Sequence, residues 1–194
     1  MNKVMFHYYI EPKVIPDLLT EDDIEYIKKE SINKLSTSKI FNNGDQNEGE
    51  YLTDINLRNS DSMFIEPNDP IINRIIKKCV GVTNKQFIHC EQLQVVRYKS
   101  GGFYKPHQDV EPFGFGYSNK RLYTIIIALN DDYEGGETSF PKLDIKFKLK
   151  KGDALFFHTL DNYELKTGMA LHSGEPVKYG EKWICNLWVH KDPY

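Results

Sequence analysis

Leu93-Gln94-Val95-Val96-Arg97-Tyr98-Lys99-Ser100-Gly101-Gly102-Phe103-Tyr104-Lys105-Pro106-His107-Gln108-Asp109 carries both an architecture and a chemistry. Leu93–Tyr98 is short, β-branched and aromatic, and reads as a strand. Ser100-Gly101-Gly102 marks a turn after it. His107-Gln108-Asp109 then places two metal-ligating side chains at i and i+2. On a strand such residues point to the same side, so both can grip one ion.

The texture continues downstream. Arg121–Leu129 is a long apolar strand centred on Ile125-Ile126-Ile127, and Ile145–Leu149 alternates apolar residues with Lys. Ala154–Phe157 and Lys182–His190 follow, with Glu134-Gly135-Gly136 and Lys151-Gly152-Asp153 as further turns. Many short strands at regular spacing predict an all-β sandwich or barrel over residues 87–194.

Upstream the signals are helical. Thr20 followed by Glu21, Asp22 and Asp23 is a helix start, with Ile24, Ile27, Ile32 and Leu35 at roughly helical spacing. A second helix follows Asn68-Asp69-Pro70, with Ile71, Ile72, Ile75, Ile76 and Cys79 as its apolar face. Between them, Phe41–Arg58 is polar and Gly-bearing: a plain surface loop, or a lid over a site. The expectation is one catalytic domain over 1–194. Residues 1–86 would supply helical support and the lid, and residues 87–194 the β core.

The chain has 194 residues, is 40% hydrophobic and carries a net charge of -3. That balance, with only Arg58, Arg74, Arg97 and Arg121 among 25 basic residues, argues against a nucleic-acid partner. Cys79, Cys90 and Cys185 are too few for a disulfide scaffold and contain no Cys-x-x-Cys, leaving a single Cys79–Cys90 bridge as an option. Met1–Glu11 has no apolar core of signal-peptide length, and no run approaches the roughly 20 apolar residues of a membrane span. A cytoplasmic protein with no membrane partner is the expectation.

As a bare pattern His-x-Asp is weak, because six His and 28 acidic residues make chance pairs common. His172-Ser173-Gly174 offers a third ligand, while His7, His89, His158 and His190 are ligand candidates on residue type alone. Two His and one carboxylate on one face leave three positions open on an octahedral metal, which suits Fe(II) oxygen chemistry.

The surrounding text resembles the prolyl 4-hydroxylases of the collagen and plant cell-wall type, across roughly Ile55 to His190. The blocks that carry the resemblance begin with Leu57-Arg58-Asn59-Ser60-Asp61-Ser62-Met63-Phe64 and Glu91-Gln92-Leu93-Gln94-Val95-Val96-Arg97-Tyr98. Gly102–Asp109, Arg121-Leu122-Tyr123-Thr124, Gly135–Pro141 and Gly152–Phe157 follow. His172–Val177, Gly180–Trp183 and Trp188-Val189-His190 close the set.

The resemblance implies a double-stranded β-helix, a cupin-like jelly roll, which agrees with the strand reading. It implies Fe(II) on His107, Asp109 and His172. Lys182 would pair with the far carboxylate of 2-oxoglutarate, and the hydroxyls of Tyr98 and Thr138 would reach the same group. Many relatives place Arg at that position, so Lys182 points to the collagen and plant branch. Tyr104, Arg121 and His190 match positions that contact the peptide, and Trp188 would flank the pocket or belong to the core. In Lys182–His190 the even positions share a face, and eight residues span about 26 Å. Lys182 and His190 therefore cannot hold one small ligand together.

The implied activity is hydroxylation of peptidyl proline at C4 by O2, coupled to conversion of 2-oxoglutarate to succinate and CO2, with ascorbate keeping the iron reduced. The partner would be a collagen-like or proline-rich protein. Other readings are a lysyl or free amino-acid hydroxylase or a nucleic-acid demethylase of the same superfamily, and a non-catalytic peptide-binding relative.

Overall fold

The computed structural model describes residues 6–42, 50–110 and 119–194. Two helices are present, α1 (Glu21–Ser31) and α2 (Pro70–Val80). In chain order the strands run β1 (Lys13–Ile15), β2 (Ser36–Thr37), β3 (Ile40–Asn42), β4 (Glu50–Leu52), β5 (Arg58–Asn59), β6 (Asp61–Ile65), β7 (Leu93–Tyr98) and β8 (Phe103–His107). They continue as β9 (Arg121–Ala128), β10 (Glu134–Gly135), β11 (Thr138–Phe140), β12 (Ile145–Phe147), β13 (Ala154–His158), β14 (His172–Gly174), β15 (Val177–Tyr179) and β16 (Lys182–His190).

The large sheet has the order β1-β13-β9-β16-β7-β6-β2 and the small one β12-β11-β14-β8-β5. The strand pairings are antiparallel. Two apolar clusters explain why the large sheet holds. Val95, Ile125, Ile127, Cys185, Leu187 and Val189 pack under α1 and α2. The alternate residues Val96, Ile126, Ala128, Leu155, Phe157 and Ile184 face the other way, into a core shared with Phe140 and Val177. A sheet covered on both faces needs apolar residues at both parities, which is why Ile125-Ile126-Ile127 is continuous. The polar residues at inward parity, among them Gln94, Tyr98, Lys182 and Asn186, line a cavity instead.

Both helix starts follow from their capping residues. Thr20 and Asp23 form a reciprocal capping box, and the Asp69 side chain accepts from the Ile71 and Ile72 amides. α1 ends at Ser31, so Ile32, expected on its apolar face, is exposed.

The division at residue 87 does not hold, because β1, β2, β5 and β6 of the N-terminal part join the two sheets. These strands are short, and several sit at sheet edges, where no period-2 pattern is required. In the expected lid, Phe41-Asn42 pairs with Glu50-Tyr51 as part of the β3–β4 ribbon, and residues 43–49 lie outside the described residues. All three cysteines are free, so the Cys79–Cys90 bridge is absent. Among the described residues no helix is long and apolar enough to cross a membrane.

Candidate metal and cosubstrate site

The cavity, of about 640 Å³, opens between the two sheets. His107 ends β8 and faces His172, the first residue of β14, across a direct strand pairing. Asp109 does not lie on the strand. The chain bends just after His107 and brings the carboxylate round, so the expected same-face geometry is reached by a turn. His107 Nε2 and His172 Nε2 each stand 3.6 Å from an Asp109 oxygen. Ligands at right angles on bonds of about 2.1 Å sit roughly 3 Å apart, so a small contraction would close the three around one ion. Among the described residues, this is the group of His, Cys, Asp and Glu side chains with metal-binding spacing. His7, His89, His158 and His190 stand elsewhere.

The supporting contacts favour ligation. His107 Nδ1 lies 2.8 Å from the Lys105 carbonyl and His172 Nδ1 3.1 Å from that of Ala170. Each Nδ1 can donate there, which leaves Nε2 as a bare lone pair aimed at the carboxylate. Thr124 Oγ1 donates to Asp109 Oδ2 at 2.7 Å. Burial holds His107 well below the usual imidazole range, and the neighbouring His172 adds to this. Burial alone would raise the Asp109 carboxyl, but His172, His107, Arg121 and the Thr124 hydroxyl outweigh it and keep it ionised. A neutral imidazole and a carboxylate are the forms a cation needs.

Lys182, at the start of β16, is 4% exposed. Its Nζ donates to the Gly136 carbonyl at 2.7 Å and meets no carboxylate among the described residues. Burial, reinforced by Lys148, brings its pKa down to about 8. An ammonium has three donors, so this one has capacity left for an anion in the cavity. Tyr98 is its cross-strand partner, and Thr138 lines the same cavity. Burial raises the Tyr98 hydroxyl, so it stays a hydrogen-bond donor. Gly136 has to be glycine: its φ is +66°, and a Cβ there would stand 3.0–3.3 Å from Tyr133, Val177 and Lys182.

The fit to iron plus a dicarboxylate therefore rests on two imidazoles whose Nε2 atoms face one carboxylate, and on a buried lysine that forms no ion pair among the described residues. The 2OG-Fe(II) oxygenase superfamily model matches residues 93–190. The chain belongs to that superfamily. This oxygenase is 35% identical to a putative prolyl 4-hydroxylase of Acanthamoeba polyphaga mimivirus, over 94% of its own length and 75% of the relative's. It is 30% identical to prolyl 4-hydroxylase 1 of Arabidopsis thaliana, covering 92% of this chain and 68% of that one. Its fold superposes with a TM-score of 0.72 on the viral collagen prolyl hydroxylase of Paramecium Bursaria Chlorella virus-1, solved as a 2OG complex. That match is at 29% identity over 92% and 95% of the two chains. As a 2OG-Fe(II) oxygenase with a jelly-roll fold, the chain uses Fe(II) and 2-oxoglutarate.

The residues matched to peptide contacts divide into two groups. Tyr104, Arg121 and Trp188 line the cavity. Tyr104 stacks on the His107 ring with centroids 3.6 Å apart, and the Arg121 guanidinium lies 4.1 Å from the Trp188 ring centre. His190 differs from the expectation of direct contact. It is 1% exposed, and its Nε2 sits 2.7 Å from Glu91 Oε1. Glu91 also accepts from Arg121 Nε and, at 2.7 Å, from Arg121 Nη2. His190 keeps the parity of Lys182 and Trp188, opposite Val189 of the helix-side core, but it joins the cavity through Glu91 and Arg121 instead of lining it.

Sequence reasoning gave no role to Glu91, to Thr124, to Arg58, or to the Gln94–Asn186 pair on the cavity wall. Polar residues at inward positions of otherwise apolar strands are the signal that could have found Gln94, Thr124 and Asn186.

Proposed function

We propose that this oxygenase is a prolyl 4-hydroxylase that hydroxylates proline within a peptide or protein chain. The observation that carries the reading is one cavity with a candidate metal triad on one wall and, on another, a buried Lys182 that forms no ion pair among the described residues. Beyond both it has room for a substrate lined by Tyr104, Arg121 and Trp188. Similarity to prolyl 4-hydroxylases of two viruses and a plant supports proline as the residue modified.

In this reading His107, Asp109 and His172 hold Fe(II), and Lys182, Tyr98 and Thr138 bind the distal carboxylate of 2-oxoglutarate. Iron and cosubstrate supply the oxidation: O2 is reduced as 2-oxoglutarate becomes succinate and CO2, with one oxygen atom entering the proline C4–H bond. The protein fixes positions. Thr124 orients Asp109, and Gly136 orients Lys182. Trp188, held by the overlying Arg121, offers a flat apolar wall for a pyrrolidine ring. Glu91 and His190 set Arg121 from behind. Ascorbate as the iron's reductant belongs to the same proposal.

The test is incubation of the purified chain with Fe(II), 2-oxoglutarate, O2 and collagen-like or proline-rich peptides, reading succinate and 4-hydroxyproline together. Equal amounts of both are expected. Succinate formed at a peptide-independent rate, with no hydroxyproline in any peptide, would reject the prolyl assignment and leave a lysyl or free amino-acid hydroxylase.

A further inference from the structure

The charges around the cavity do not balance. Among the described residues that line it stand five cations, Lys39, Arg58, Arg121, Lys166 and Lys182, and one carboxylate, Asp109. The chain as a whole is net negative, so this is local segregation of charge. On the reading above, divalent iron and Lys182 are offset by Asp109 and the dianion 2-oxoglutarate. Arg121 is offset by Glu91. Among the described residues, Arg58, Lys39 and Lys166 are left over.

Arg58 is the most informative of these. It is 6% exposed, yet its partners are neutral. Nε donates to Ser60 Oγ at 2.9 Å, Nη1 to the Lys39 carbonyl at 3.4 Å, the guanidinium also hydrogen-bonds the Tyr98 hydroxyl, and it lies 4.8 Å from the Tyr104 ring centre. A buried cation without an anion is costly, and Arg is suited to gripping a carboxylate with two parallel bonds. Tyr104 in turn stacks on the ligand candidate His107. A carboxylate received by Arg58 would thus lie beside the residue whose C–H is attacked. Lys39 and Lys166 are exposed where they border the cavity and form no ion pair among the described residues.

We propose that the preferred substrate carries an aspartate or glutamate side chain next to the target proline. Arg58 would receive that carboxylate, and Lys39 and Lys166 would draw an acidic segment to the opening. This rests on the prolyl 4-hydroxylase reading and adds a sequence preference to it.

The test uses the holoenzyme with Fe(II) and 2-oxoglutarate and three peptides of equal length, acetylated and amidated so that no terminal carboxylate competes. They differ only in the residues flanking proline: Glu, Gln or Lys. At low salt the Glu peptide should have a KM about tenfold below the Gln peptide, with the Lys peptide highest and the gap closing as salt rises. Arg58→Gln should remove most of the Glu preference while calorimetric affinity for 2-oxoglutarate stays within a few-fold. A K39E/K166E double variant, altered only at exposed positions, should shift preference toward the Lys peptide, which misfolding could not produce. Equal KM for the Glu and Gln peptides at low salt, or an undiminished Glu preference in both variants, overturns the inference and leaves the prolyl reading standing. Loss of 2-oxoglutarate binding in Arg58→Gln also overturns it, by assigning Arg58 to the cosubstrate. No hydroxylation of any of the three peptides, with 2-oxoglutarate still bound, brings down the prolyl reading and this inference together.

Discussion

Lys182 shows most plainly what burial does to a single side chain. Held at 4% exposure with one carbonyl partner, it is a cation kept short of an anion. A charge-assisted hydrogen bond contributes about 1.5–3 kcal/mol, so Lys182→Ala should weaken 2-oxoglutarate binding at least about tenfold by calorimetry. Unchanged affinity would remove Lys182 from the cosubstrate site. Its pKa of about 8 fixes the sign of the pH dependence: binding needs the ammonium, so affinity is full below pH 8 and falls above it. The slope should approach about tenfold per pH unit, with uptake of a proton on binding. Thr124 gives a second case. Thr124→Val keeps the shape but removes the donor to Asp109 Oδ2, and metal affinity, followed by titration with Co(II), should drop about tenfold or more. Motif spacing and family resemblance agree on His107, Asp109, His172 and Lys182, and the fold brings all four into one cavity. The sequence did not reveal that Asp109 is delivered by a bend, or that His190 is bonded to Glu91. Those depend on where a strand ends and on which neighbours take up a side chain's hydrogen bonds, which residue types leave open.

Among elements, β7 and β16 were readable end to end because both parities had to be apolar or functional. The small strands β1, β2 and β5 were not, since a two- or three-residue strand has no period to detect. The helices were marked by their caps, and one cap does more than start a helix. Asp23, 1% exposed, completes the α1 capping box and also accepts from Arg74 of α2 at 2.6 Å and from Lys78 at 3.4 Å. Burial would raise this carboxyl, but Arg74 and Thr20 hold it below its ordinary value. The stabilisation is therefore present above the unfolded pKa of about 4 and is lost as pH falls through the lower folded value. Asp23→Ala should cost about 2–3 kcal/mol, lowering Tm by roughly 5–10 °C in a thermal melt at neutral pH. A shift under a degree would mean that the cap and the bridge to α2 add nothing.

At the scale of the whole molecule, both sheets contribute to the candidate site: Lys182 and Tyr98 come from the large sheet, His107, His172 and Thr138 from the small one. Occupancy should therefore stiffen the entire fold. Metal and 2-oxoglutarate together, each at about a hundred times its Kd under anaerobic conditions, should raise Tm by roughly 10–20 °C, and a chelator should reverse the rise. An equal rise with 2-oxoglutarate in chelator-treated protein would show that cosubstrate binding does not need the metal. The sheet covered on both faces carries a further implication. Lys182 and Trp188 stand on the front of one strand whose back, Cys185, Leu187 and Val189, is locked under the helices. On the proposed function, that strand would serve as a ruler between the group consumed and the group modified, and aliphatic side chains that never meet a reactant would help govern whether the oxidising equivalent reaches the substrate.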